Sequence, residues 1–158
     1  MVDALEFIRS EHEDFRGLLN RYEEVDPDDH SAKRDLVAEL ITVVVQHSAM
    51  EERAFYPAVR EHIPELDEHI REGIEEHHVV EVIMQELKQL DATDEQFDAK
   101  VEVFAENLLH HIQEEEDELF PKIRSEMPSQ QLEGLADDLR AAKEQAPTEP
   151  KPSQGAGT

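Results

Sequence analysis

Residues 97–121 read FDAKVEVFAENLLHHIQEEEDELFP, and within them Phe97, Val101, Phe104, Leu108, His111, Glu115 and Leu119 recur at steps of three and four. That spacing lines one face of an α-helix and carries no strand-like alternation. Three earlier seams repeat it. Leu66, Ile70, Gly73, His77, Val80, Met84 and Leu87 form one. Leu36, Leu40, Val44, His47 and Glu51 form another, within a helix expected from about Ser31 to about Tyr56. Leu5, Ile8, His12, Phe15, Leu19 and Tyr22 form the first. Turn chemistry separates them: Asp26-Pro27-Asp28-Asp29, a connection bracketed by Pro57 and Pro64, and Asp91-Ala92-Thr93-Asp94. Four long helices with short links predict an all-α fold, an antiparallel up-down-up-down four-helix bundle over residues 1–127. Residues 128–145 are expected to add a short amphipathic helix through Leu132, Leu135 and Leu139. The stretch PTEPKPSQGAGT holds no apolar residue larger than alanine, so residues 146–158 are expected to be a disordered tail.

The chain has 158 residues, with 40 Asp+Glu against 15 Lys+Arg and a formal net charge of -25. One domain is the expectation for this length. Such acidity argues against nucleic acid and against anionic membrane surfaces, both of which attract Lys/Arg patches. The absence of cysteine excludes a disulfide scaffold, a zinc knuckle and a thiolate nucleophile. The apolar run Leu40–Val45 is far short of the ~20 residues that cross a bilayer. The opening MVDALEFIRSEHEDF has no basic stretch followed by an apolar run, unlike a secretory signal, so a cytoplasmic location is expected.

The seams repeat in halves. Glu11-His12 recurs 65 residues later as Glu76-His77, and His47-Ser48-Ala49-Met50-Glu51 recurs 64 residues later as His111-Ile112-Gln113-Glu114-Glu115. Each of those glutamates is followed six residues on by a proline, Pro57 and Pro121. The repeat preserves polar groups in apolar places. His12, His47, His77, His111, Glu51 and Glu115 all occupy seam positions, and no Lys or Arg shares a seam with them. A carboxylate facing a bundle core costs several kcal/mol unless it is paired or bound to metal. His and Glu four residues apart share one helical face, so both reach the same cation or adjacent ones. Four neutral imidazoles and two carboxylates carry a charge of −2, suited to two divalent ions with further bridging ligands. Mixed nitrogen and oxygen ligation with open positions suits iron or manganese.

The remaining candidates carry less. His30 and His62 fall at turns or helix ends and read as solvated. His69, His78 and His110 lie beside the seams, where surface or supporting roles are expected. Glu11 and Glu76 adjoin two of the ligand histidines as candidate supporting groups, and Tyr22 and Tyr56 read as core or supporting residues. Phe15, Phe55 and Phe120 would line a water-poor pocket or simply fill the core.

The segments SEHEDF around His12, QHSAMEERAFYP from His47, EEHHVV around His77 and HHIQEEEDELFP from His111 resemble the hemerythrin-like family of HHE cation-binding domains, over about residues 1–125. The resemblance implies a four-helix bundle around a non-haem di-iron centre. It implies that His12 and His47 serve one iron, that His77 and His111 serve the other, and that Glu51 and Glu115 bridge or contact both. Two departures stand out. Oxygen-carrying hemerythrins have a second histidine four residues before the third-helix ligand, where this chain has Gly73. They also follow the last histidine with an aspartate at the fifth position, where this chain has Glu115 at the fourth and Glu116 at the fifth. A missing imidazole would leave an open or water-filled position on one iron. That favours peroxide chemistry, nitric oxide binding or redox sensing over reversible oxygen carriage. The expected function is therefore binding of a small ligand (O2, NO or peroxide) at two irons, manganese being the second choice of metal. Catalase-like peroxide decomposition and iron buffering are the alternatives.

Overall fold

A computed structural model describes residues 1–151 of the chain. These are helical, with no strand among the described residues. Helix α1 (Ala4–Glu24) is followed by α2 (His30–Met50), a π-helical turn (Glu51–Phe55) and α3 (Tyr56–His62), the last three contiguous in one rod. A 3₁₀ turn (Pro64–Leu66) leads into α4 (Asp67–Gln89). Then α5 (Phe97–Glu114), a second π turn (Glu115–Leu119) and α6 (Phe120–Glu126) form another unbroken rod, and α7 (Ser129–Glu144) follows. Residues 146–150 have no helix or strand, and Glu149 pairs with Lys88 of α4. The remainder of the expected disordered tail, 152–158, lies outside the described residues. No helix among the described residues is long and apolar enough to cross a membrane.

Pro57 does not close the second rod, as its position in the sequence suggested; the helix runs on to His62. The π turn explains this. Tyr56 donates its amide to the carbonyl of Glu51, five residues back, and Phe120 donates likewise to Glu115. The widened turn comes just where Pro57 and Pro121 lack an N–H and crowd the preceding carbonyls, so the rods absorb the prolines instead of breaking.

Pairs of contacts set the directions. His12 and His47 pack with ring centroids 5.1 Å apart, while Lys33 lies over the Tyr22 ring at 5.9 Å, so α1 and α2 run oppositely. His77 meets His111 at 4.6 Å and Glu86 meets Lys100 at 2.9 Å, so α4 and α5 do too. Two apolar clusters fill the interior. One holds Leu5, Ile8, Phe55, Ile70, Leu119 and Phe120 together with Leu132, Leu135 and Leu139 of α7. The other holds Phe15, Leu40, Val44, Val80, Met84, Phe104 and Leu108. On every rod the polar seam residues fall where one cluster gives way to the other.

Asp3 fixes the start of the chain. It caps α1 by accepting the Glu6 amide at 3.0 Å, Glu6 accepts the Asp3 amide at 3.1 Å, and Arg124 of α6 pairs with the same carboxylate. Burial alone would raise the Asp3 carboxyl, but Arg124 and the amides of Glu6 and Leu5 hold it below its ordinary 3.8. Stability from this group is therefore present above that value and lost as pH falls through the lower, folded value. Asp3→Ala is expected to cost about 1 kcal/mol through the lost cap. In urea denaturation the gap between wild type and variant should shrink from neutral pH toward pH 3.

Candidate metal centre

All six polar seam residues converge in the band between the two apolar clusters. His12, Glu51 and Glu115 are no more than 3% exposed, and His47, His77 and His111 are buried beside them. Their donor atoms form two groups, His12, His47, Glu51 and Glu115, and Glu51, His77, His111 and Glu115, in each of which the atoms lie within 4.8 Å of one another. Both glutamates belong to both groups. Glu51 Oε1 lies 3.2 Å from His47 Nε2 and 3.1 Å from His77 Nε2. Glu115 lies 3.3 Å from His12 Nε2 through one oxygen and 3.3 Å from His111 Nε2 through the other.

What orients the imidazoles is a ring of four further carboxylates. The Nδ1–H of His12 donates to Glu116 at 2.8 Å, that of His47 to Glu11 at 2.9 Å, that of His77 to Glu52 at 2.9 Å and that of His111 to Glu76 at 2.8 Å. A carboxylate only accepts, so each Nδ1 carries the proton and each Nε2 is turned inward, the arrangement that supports metal-binding histidines. The pattern obeys the internal repeat. Glu11 and Glu76 reach the histidine of the following rod within their own half, whereas Glu52 and Glu116 reach across to the other half. Glu116 thus stands behind His12 and outside both donor groups. Glu52 escaped the sequence reading altogether, although the doublets Glu51-Glu52 and Glu115-Glu116 held its signal.

Burial alone would push His47 down, but the charge of Glu51 and the hydrogen bond and charge of Glu11 hold it up at about 10. His77 and His111 are held up in the same way, by Glu51 and Glu52 and by Glu115, Glu51 and Glu76. Glu51 is held well below the usual carboxylate range against its burial, chiefly by His47. Even so, the metal-free arrangement leaves polar ends over. His12 Nε2, His47 Nε2, Glu51 Oε2 and Glu115 Oε1 are buried without a hydrogen-bond partner. Four orphaned atoms in one pocket, two imidazole nitrogens and two carboxylate oxygens, are a donor set that a cation satisfies and a core does not.

Aromatic rings close the pocket. Phe120 stacks on His12 at 6.2 Å, Phe15 meets His47 edge-on at 5.0 Å, and Phe55 packs against Tyr56 and Phe120. Tyr56 is not merely core: its hydroxyl donates to Glu115 at 2.8 Å and its ring stacks on His77 at 5.6 Å. Burial and the charges of Glu115 and Glu51 push the phenol well up, so it keeps its proton. The space opposite Gly73 is accordingly filled. A Cβ at Gly73 would come 3.0 Å from that hydroxyl oxygen, so Tyr56 stands against the place where a second third-helix histidine would start. Tyr22 is remote from the site and donates to Asp98. His110 lies outside the two groups, exposed and 3.1 Å from Glu114.

Comparison with known proteins agrees with this fold. A family model described as the hemerythrin HHE cation-binding domain matches residues 3–123. A hemerythrin HHE cation-binding domain-containing protein from Mycobacterium kansasii superposes with a TM-score of 0.79 at 23% identity, covering 92% of this chain and 87% of that one. A DNA nickase from a Nostoc species is 24% identical over 142 residues, 90% of this chain but 39% of that protein's length. With a matched segment running through all six inward-facing residues, the chain belongs to the hemerythrin HHE cation-binding domain family.

Proposed function

We propose that this protein holds two irons at the centre and binds a small ligand there, O2, NO or peroxide, in a response to oxygen, redox or nitrosative stress. The observation that carries the reading is the pair of buried four-donor groups sharing Glu51 and Glu115, with inward atoms left unpaired. His12 and His47 would hold one iron, His77 and His111 the other, with both glutamates common to the two. The mixed nitrogen and oxygen donors suit iron, with manganese as second choice. When bound, the metal pair supplies redox-active cations with open positions for a small ligand. The protein's own part is to lock each imidazole through its Nδ1–H, to exclude water with Phe15, Phe55 and Phe120, and to present one O–H donor, Tyr56. That donor is the observation favouring a second reading, peroxide decomposition to water and dioxygen. Nicking of DNA is not carried over from the Nostoc relative, because a net charge of -25 opposes a phosphate backbone and we infer no nucleic-acid partner.

Refolding with ferrous salt should give two irons per chain and a visible spectrum that changes on adding azide, nitric oxide or oxygen. His47→Ala and His111→Ala should each lose iron. Loading below two irons, or equal loading in those variants, overturns the reading. Peroxide decay no faster than with free iron removes the catalytic version.

A further inference from the structure

The sequence repeat makes two of the supporting carboxylates, Glu11 and Glu76, comparable atom by atom. Each uses Oε1 to hold the Nδ1–H of a histidine on the following rod, His47 at 2.9 Å and His111 at 2.8 Å. Their second oxygens meet different surroundings. Glu11 Oε2 accepts from the ammonium of Lys143, which α7 carries over it. Glu76 pairs with no Lys or Arg among the described residues, and its Oε2 faces His110 Nε2 at 4.0 Å, beyond hydrogen-bond reach. The same nitrogen lies 3.1 Å from Glu114 Oε1. Where one half sets an ammonium, the other therefore gathers an imidazole nitrogen and two carboxylate oxygens, all within 4.8 Å of one another.

The sequence HHIQEE at 110–115 explains how α5 builds this cluster. It holds two pairs of His and Glu four residues apart, offset by one residue. His111 and Glu115 are buried in the centre, while His110 and Glu114 stand beside them on the outer side, 66% and 35% exposed. The first half has Gln46 and Met50 at the corresponding positions, so the outer pair has no counterpart there. The chemistry of the cluster is that of a cation site. Donors that share one first-row cation at about 2.0–2.2 Å lie about 3–4 Å from each other, and both separations from His110 Nε2 fall in that range. Two carboxylates supply the charge, and the imidazole favours a transition-metal ion over calcium or magnesium, which take oxygen donors.

We propose that Glu76, His110 and Glu114 form a separate outer site for a first-row divalent cation of the zinc type, placed so that the ion does for Glu76 what Lys143 does for Glu11. Its ligands lie outside both donor groups of the centre, and its charge falls on the carboxylate that holds the Nδ1–H of His111. The site does not depend on the identity of the metal at the centre.

The test uses the full chain refolded with ferrous salt and dialysed against zinc in an excess of magnesium, which occupies sites built from oxygen alone. Iron and zinc are then counted together by elemental analysis. Wild type should hold one metal ion more per chain than His110→Ala or Glu114→Lys, with the iron content the same in all three. Glu114→Lys is the sharper variant, because it removes a ligand and supplies an ammonium beside Glu76. Both side chains lie at the surface, and helical circular dichroism checks that the variants are folded; should one of them unfold, the other decides. Equal totals in wild type and variants overturn the proposal, whether the zinc has displaced iron or has settled on carboxylates elsewhere. Fewer than two irons in every protein would sink the di-iron reading alone, since the difference of one ion between wild type and His110→Ala still decides the outer site.

Discussion

Glu51→Gln will cost the protein iron from both halves of its centre, whereas Glu52→Gln will weaken one half only. Glu51 is fully buried, with one oxygen 3.2 Å from His47 Nε2, 3.1 Å from His77 Nε2 and 3.9 Å from His111 Nε2, and its other oxygen unpaired. An amide keeps the shape but halves the acceptors, removes one of the two charges that face the cations, and turns an NH2 toward them. Both donor groups include this residue, so both lose a ligand together. Glu52 touches no inward atom; it only holds the Nδ1–H of His77. Loss of such a support weakens a metal by about 10–100-fold. Glu51→Gln should exceed that range, leaving well under one iron per chain after gel filtration, while Glu52→Gln should retain the iron at His12/His47 under chelator competition. Retention of two irons by Glu51→Gln would show that Glu51 is not a shared ligand. Helical circular dichroism of the metal-free variants checks that both are folded.

The different consequences expected at two adjacent glutamates illustrate where the sequence is readable. Steps of three and four along the chain locate the rods, and polar residues at those steps mark the site, because burial of a carboxylate needs a reason that spacing alone reveals. The Nδ1 partners were harder to see because none shares a rod with its histidine. Glu11 stands next to His12 in the chain but serves His47, and Glu116 reaches His12 across 104 residues. The contact of Tyr56 with Glu115 was hidden for a different reason. In an uninterrupted α-helix Phe55 would stack four residues above Glu51. The π turn inserts one more residue, so Tyr56 takes that place, and Phe120 rather than Leu119 takes it above Glu115. Hydrophobic periodicity assumes a constant rise and turn, and it fails by one residue wherever the helix widens. Composition hides the last feature. Among 40 acidic residues the 15 basic ones look sparse, yet Arg9, Arg16 and Lys143 gather on the carboxylates behind one half of the centre.

Ending the chain at Met127 will abolish cooperative folding, even though the family match itself stops at residue 123. The sequence suggests a bundle over 1–127 followed by a short amphipathic helix through Leu132, Leu135 and Leu139, and those leucines of α7 enter the core. Leu132, Ala136 and Leu139 are fully buried and Leu135 nearly so, and the three leucines share one cluster with Leu5, Ile8, Phe55 and Phe120. Each buried leucine contributes about 1.5–3 kcal/mol, so three of them approach the whole net stability of a typical domain, about 5–15 kcal/mol. Removing α7 also bares the apolar end that lies against the metal centre and takes Lys143 from Glu11, so the His47 support becomes exposed. The truncated chain should show helical signal without a sigmoidal urea transition and should hold iron poorly. Leu139→Ala in the full chain is the graded version, expected to cost about 2–5 kcal/mol in the urea midpoint while leaving the transition cooperative. A truncated chain that unfolds with the wild-type midpoint would mean that α7 merely rests on a bundle able to stand without it. The six inward-facing residues all lie before residue 127, but the core that aims them does not end there.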